Sequence, residues 1–360
     1  MTVRAGVWTG VDEPISVEHV TLLAPGAHDV VVQVEASGVC HTDHAILHGA
    51  LPWMPPSILG HEVCGRVVDV GAAVTRVGVG DRVITAGIPA CGDCFMCVRG
   101  QPHLCEQTAT LVGAPRATRA DGTPVTTFAS LGGFAEQMTV PEVSVVAVRT
   151  ELPAEQLALI GCAITTGVGA VFNTARLEPG ATVTVVGLGG IGQSVVQGAR
   201  IAGASRIVAV DPVASKRTAA ARHGATDLVD PADGDPVEQV KALTDGRGTD
   251  HGIEAVGRVD AMMTAYRAAR RGGVVTLVGM PPFDASITFP AMELFLDVKE
   301  IRVCNLGNAQ IRRDFPRLVA LAETGRLDLA SMVTRRIALD DVNDAFRAMD
   351  AGEEIRTVIV

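Results

Sequence analysis

Gly38-Val-Cys40-His41-Thr42-Asp43-His44-Ala45-Ile-Leu-His48-Gly49 sets one cysteine and three histidines within twelve residues. Thiolate and imidazole are both good zinc ligands, so crowding alone suggests a metal nest made of Cys40, His41, His44 and His48. A dispersed set competes with it. His61, in Gly60-His61-Glu62, follows Cys40 by 21 residues, and Cys162 stands far downstream in Leu159-Ile-Gly-Cys162-Ala-Ile-Thr-Thr166-Gly. Two thiolates and one imidazole leave a fourth coordination position open, as a zinc that works on a substrate requires.

The other cysteines have a different pattern. Cys91-Gly-Asp-Cys94-Phe-Met-Cys97, then Cys105 after seven more residues, gives four thiolates that a loop can wrap around one tetrahedral zinc with no open position. Redox pairs or an iron–sulfur cluster are the competing readings, and the last spacing does not match the usual ferredoxin run. A closed site of this kind stabilises a lobe and does no chemistry. Cys64 and Cys304 read as small buried apolar residues.

A third constellation binds a dinucleotide. After the strand Ala-Thr-Val-Thr-Val-Val comes Gly187-Leu-Gly189-Gly190-Ile191-Gly192, a GxGxxG opening a helix, and 19 residues past Gly192 the next strand ends in Asp211. The glycines allow a tight turn and close approach of a pyrophosphate to the helix N-terminus, while the carboxylate takes a ribose hydroxyl. Asp211 repels a 2′-phosphate, which favours NAD over NADP, although Lys216 and Arg217 stand nearby.

These groups need scaffolds. With 360 residues the chain exceeds the size at which one core stops growing, so two domains are expected. Residues 1 to about 160 carry short alternating valine-rich runs broken by Gly, Pro and Asp, the signature of irregular antiparallel β structure. From about 164 to 303 apolar strands alternate with alanine-rich amphipathic helices, which implies βαβ units and a parallel sheet. The tail holds two helical stretches and a final strand, Arg-Thr-Val-Ile-Val, and returns to the first style.

A net charge of −10 argues against a nucleic acid or an anionic membrane as partner. No run has signal-peptide or membrane-span character, which predicts a cytoplasmic protein whose eight cysteines serve metals rather than disulfides. Of 30 basic residues only Lys216, Lys241 and Lys299 are lysine, which hints at a high-GC bacterial source.

Taken together, GVCHTD, GHEVCGRVVDVGAAV, the four-cysteine lobe, LIGCAITTGVG, VVGLGGIG and the ending EEIRTVIV resemble the zinc-dependent medium-chain alcohol dehydrogenases over essentially the full length. That resemblance implies an α/β protein: a GroES-like, mainly-β catalytic domain (1–163 and 304–360) and a Rossmann doubly wound parallel-sheet coenzyme domain (164–303). It implies two Zn2+ per chain and NAD, with Cys40, His61 and Cys162 on the catalytic zinc and Cys91, Cys94, Cys97 and Cys105 on the structural one. Glu62 is expected beside the metal, Asp43 behind His61, and Thr42 on the substrate oxygen. His41 and Arg356 are assigned to the pyrophosphate, Thr166 to the nicotinamide, and Ile191, Val256 and Val278 to further cofactor contacts.

The implied reaction is reversible oxidation of a primary aliphatic or aromatic alcohol. Zinc lowers the pKa of the alcohol, and hydride passes to the nicotinamide. Many relatives route the proton to a histidine five residues after the zinc cysteine. Here that residue is Ala45, and a one-residue shift on a helix turns a side chain by about 100°, so His44 is not expected to replace it. Release through Thr42 and the ribose to water is expected instead. Leu51, Gly87, Phe128 and Met280, with Trp53 and Met54 nearby, suggest a roomy apolar pocket.

The runner-up is a thiol-dependent formaldehyde dehydrogenase, because the loop from about 106 to 133 is long. Against it, the glutathione-recognising acid and arginine of that branch fall on Leu51 and Ala109, which leaves Arg116 and Arg119 as candidate anion contacts for another thiol. A non-catalytic NAD- and zinc-binding redox sensor is the alternative of another class, and the intact Cys40, His61, Cys162 and Thr42 set argues against it. A homo-oligomer, dimer rather than tetramer, is the expected assembly.

Overall fold

The valine-rich run Asp29–Val39 is the central strand of a mostly antiparallel seven-stranded sheet. Glu62–Val70 pairs along one side, while Gln137–Pro141 and the C-terminal strand Thr357–Ile359 share the other. Its inward residues Val30 and Val32 meet Val63, Val67, Val83, Met138 and Val140 in a closed apolar cluster. Each such valine contributes on the order of 1.5–3 kcal/mol when taken out of water.

This sheet belongs to the first of two compact units in the computed structural model, which describes residues 1–111, 114–352 and 354–360. The unit comprises Met1–Ala163, Gln310–Thr324 and Leu329–Val360. Beside the sheet it closes a small barrel from Thr2–Trp8, Ser16–Leu22, Ala117–Thr118, Pro124–Thr127 and Ser57–Ile58. Trp8, Ile58, Leu59 and Phe134 fill that core, joined by Ile46 and Leu47 of the short helix His41–Leu47 and by Phe346 of the helix Val342–Asp350. Burying Asp43, Ile46 and Leu47 on one face leaves His41, Thr42 and His44 on the rest of the helix.

The second unit, Ile164–Ala309 with Gly325–Asp328, is built on a six-stranded parallel sheet. Its strand order is Asp227–Val229, Arg206–Val210, Thr182–Val186, Thr249–Glu254, Ala269–Leu277, Glu300–Val303, so the third, second and first strands precede the fourth, fifth and sixth. That is the doubly wound nucleotide-binding arrangement. The helix Gly190–Ala202 lays Val195, Val196 and Ala199 onto the sheet core.

The boundaries differ from the sequence expectation in two places. Residues 304–309 pack with the second unit rather than the first, because the Gly307 carbonyl accepts from Asn173 Nδ2 at 2.9 Å. Gly325–Asp328 goes with it too: Arg200 donates to the Arg326 carbonyl and Gln197 to that of Asp328. Among the described residues no single helix is long and apolar enough to cross a membrane.

Candidate metal and dinucleotide sites

Strand pairing assembles the dispersed cysteine–histidine set. Gly38 lies opposite Glu62 and Val39 opposite Thr357, so Cys40, His61, Glu62 and Arg356 converge at one end of the sheet. Cys162 arrives on the turn after Leu159–Gly161. Ligand atoms of Cys40, His61, Glu62 and Cys162 all lie within 4.8 Å of one another. Gly38 makes this possible, because a Cβ there would meet Glu62 Oε2 at 2.2 Å. The sequence reading missed Gly38, although it opens the quoted motif.

Asp43 orients the imidazole. Fully buried, it accepts from the backbone of Cys40 at 3.2 Å and of Gly60 at 3.0 Å, and its Oδ1 lies 3.2 Å from His61 Nδ1. The carboxylate thus fixes the ring and leaves Nε2 for a metal. Thr42 Oγ1 stands 3.7 Å from Cys40 Sγ. A hydrogen bond from Cys162 holds the Cys40 thiol well below its ordinary range, while the same bond and burial hold Cys162 well above it. Burial alone would lower His61, but Asp43 and Cys40 raise it well above the ordinary imidazole range.

Burial also pushes the Glu62 carboxyl up to about 7 against the pull of Arg356. Neither Glu62 oxygen has a hydrogen-bond partner. Two sulfurs and a pre-oriented imidazole form a donor set that fits zinc with a fourth position open, and the buried Glu62 carboxylate, without a hydrogen bond, stands beside it. Arg356, only 4% exposed, faces Glu62 at 3.4 Å and donates to the Val39 carbonyl. His41 is exposed on its helix.

The second cysteine group closes on itself. A tetrahedron with zinc–sulfur bonds of about 2.3 Å has edges of about 3.8 Å. The observed Sγ separations are 3.9 Å for Cys91–Cys97, 3.9 Å for Cys94–Cys105 and 3.5 Å for Cys91–Cys105. Backbone N–H groups of Cys91 and Gln107 point at the Cys105 sulfur, and those of Asp93 and Cys94 at the Cys91 sulfur. His44 and His48 belong to neither cysteine set: His44 Nε2 is 2.7 Å from Asp350 Oδ1, and His48 Nδ1 is 2.7 Å from Asp12 Oδ1.

The apolar residues expected near the substrate divide. Phe128 stands edge-on to the His61 ring, with centroids 5.3 Å apart, and Trp53 stands edge-on to Phe128 at 5.1 Å. Leu51, Trp53 and Phe128 are half-buried against the barrel core. A Cβ on Gly87 would press on Ala129 at 3.2 Å and touch His61 at 3.8 Å, so the chain passes close beside the metal ligand there. Met54 is 70% exposed and Met280, in the second unit, is 47% exposed. The candidate anion contacts fail: Arg116 is tied to Asp29 at 2.6 Å, and Arg119 makes a two-bond pair with Glu18 at 2.7 and 2.8 Å.

In the second unit the glycine loop has the expected geometry. Gly187 has φ +90°, and a Cβ on Gly192 would fall 1.8 Å from the Gly187 carbonyl, so the helix Gly190–Ala202 starts directly on the turn with Ile191 packed at the core's margin. Asp211 is held by N–H groups of Leu188 and Val213, each at 2.8 Å. Arg217 is spent on the Asp211 carbonyl at 2.6 Å and on Asp230 at 2.5 Å. Lys216 is half-buried, its carbonyl accepting from Gln193. Thr166 is buried, Val256 is 45% exposed beside Gly187, and Val278 lies in the sheet core. Glu254 was not singled out: buried at the end of the fourth strand, it accepts from Val256 and Gly257 N–H and shapes the neighbouring turn.

Fold and site together define a zinc-dependent dehydrogenase. The alcohol dehydrogenase GroES-like domain matches residues 26–150, and the zinc-binding dehydrogenase domain matches 190–324. The chain is 36% identical to S-(hydroxymethyl)glutathione dehydrogenase of Paracoccus denitrificans and 38% identical to that of Photobacterium damsela subsp. piscicida, in each case over the whole of both chains. Benzyl alcohol dehydrogenase from Acinetobacter calcoaceticus superimposes with a TM-score of 0.93 at 28% identity, covering 100% of this chain and 99% of that one. The protein belongs to the zinc-dependent medium-chain alcohol dehydrogenase family.

Proposed function

We propose that this enzyme oxidises a hydroxymethyl carbon with NAD as hydride acceptor, and that its favoured substrate is the hydroxymethyl adduct of formaldehyde with a low-molecular-mass thiol. The supporting observation is the full-length similarity to relatives named for that reaction. Because Arg116 and Arg119 are paired within the fold and Leu51 is apolar, the thiol is not anchored by the charged residues first considered. Zinc, when bound by Cys40, His61 and Cys162, supplies Lewis acidity to the substrate oxygen. Asp43 fixes His61, Thr42 would hold the substrate hydroxyl and accept its proton for release, and Phe128, Trp53 and Leu51 would wall the reacting carbon. Asp211 with its neighbour Arg217 neutralised supports NAD over NADP.

A second reading, a simple aliphatic or aromatic alcohol as substrate, is favoured by that aromatic wall and by the benzyl alcohol dehydrogenase likeness. NADH formation from formaldehyde with and without each of several thiols, beside a panel of primary alcohols, separates the two. Thiol-dependent turnover supports the first reading; equal or better turnover of benzyl alcohol without thiol overturns it.

We also propose a cytoplasmic homodimer. Its eight cysteines are unbridged, as a reducing compartment keeps them. The strand Glu300–Val303 ends the parallel sheet with Ile301 and Val303 exposed, and Phe295 nearby in sequence is 76% exposed. An unpaired apolar edge favours a partner strand. Light scattering behind size exclusion reads the assembly directly.

A further inference from the structure

We propose that His44, His48 and Asp350 form a third metal site, for a divalent transition ion such as Zn2+, on the first unit and separate from both cysteine sets. His44 and His48 are one helical turn apart, at the spacing that puts two side chains on one face. Their ring centroids are 4.4 Å apart with planes tilted by 51°. The helix Val342–Asp350 delivers a carboxylate to the same spot, with Asp350 Oδ1 2.7 Å from His44 Nε2. One ligand atom from each of the three lies within 4.8 Å of the others.

An ordinary surface histidine–aspartate pair accounts for the His44–Asp350 contact alone. It does not account for the rest of the arrangement. Asp12, in a left-handed turn at φ +61°, accepts from His48 Nδ1 at 2.7 Å, which orients that ring. Metal-binding histidines are held in this way by a carboxylate behind the ring, as Asp43 holds His61. Zinc with nitrogen and oxygen ligands at about 2.0–2.1 Å sets those atoms about 3.3 Å apart. The His44–Asp350 pair needs to open by about half an ångström, with the ion taking the place of the shared proton.

Two imidazoles and one carboxylate suit Zn2+, Ni2+ or Co2+ over Mg2+ and Ca2+, and water completes the shell at this half-exposed position. A bound ion ties the helix that follows Cys40 and carries Thr42 and Asp43 to the C-terminal helix. It offers a means by which free metal concentration reaches the segment beneath the substrate.

The test is titration calorimetry of Zn2+ into dialysed protein already holding two zinc ions, with metal analysis of the product. Wild type is expected to take up one further equivalent with a dissociation constant on the order of micromolar. His48→Gln and Asp350→Asn are each expected to weaken that uptake tenfold or more while both keep two zinc ions. Added Co2+, read on the wild type alone, is expected to give weak d–d bands without the strong near-ultraviolet band of a cobalt–thiolate bond. No third equivalent, a third equivalent that either variant weakens less than tenfold, or a thiolate band from the added cobalt overturns the proposal.

Discussion

The guanidinium of Arg356 lies 3.4 Å from the Glu62 carboxylate, and both side chains are almost wholly buried. Pairing of Thr357 with Val39 fixes this contact, by setting the residue before the last strand beside the first metal cysteine. Removing Arg356 takes away the cation that offsets burial of the Glu62 carboxyl, which must then take up a proton or stay as an unpaired buried charge, at a cost of up to about 3–5 kcal/mol. Arg356→Met is therefore expected to lower the denaturation midpoint markedly, and adding Glu62→Gln is expected to recover part of the loss. A variant that melts like wild type but has a raised KM for NAD places Arg356 on the cofactor pyrophosphate and sinks the burial argument.

Asp43 acts on the metal through His61. Asp43→Ala frees the ring and leaves the N–H groups of Cys40 and Gly60 without an acceptor. Loss of such a supporting carboxylate costs about 10- to 100-fold in metal affinity or activity. Chelator competition monitored by zinc release is expected to show that drop at one ion per chain, with the four-cysteine ion unmoved.

Much of this was legible in the sequence because the chemistry is written in residue type and spacing. CxxCxxCx7C and GxGxxG are local, so their geometry follows from short loops, and the alternation of strand and helix announced the parallel sheet. The Cys40–His61–Cys162 set was legible only through the open position that three ligands leave and through the resemblance of the surrounding motifs. What depended on distant partners was not legible. Arg116 and Arg119 looked free until the fold set Asp29 and Glu18 against them, and Asp350 lies 302 residues from His48, the residue it joins.

Cys105→Ser separates the two cysteine roles. Cys105 is the buried member of its group and touches Cys91 and Cys94. The variant is expected to hold one zinc rather than two and to inactivate faster on warming, while freshly prepared protein keeps most of its turnover. Immediate loss of turnover with two zinc ions still bound would assign Cys105 to the reaction.

In the second unit Asp250 links the first and fourth parallel strands. Burial opposes its ionisation, but the backbone N–H and the hydroxyl of Thr182, each at 2.8 Å, and Arg270 Nε at 2.7 Å prevail and hold the carboxyl at about 2, below its ordinary 3.8. A depressed folded pKa means the unfolded chain binds the proton first. Stability from this group is then fully present above about pH 4 and is lost as pH falls toward 2. Asp250→Asn removes that pH-dependent share. Acid unfolding followed by circular dichroism is expected to show the variant already weaker at neutral pH, with its deficit shrinking between pH 4 and pH 2. A deficit that stays constant across that window would mean the bonds from Thr182 and Arg270 do not favour the ionised form over the neutral one.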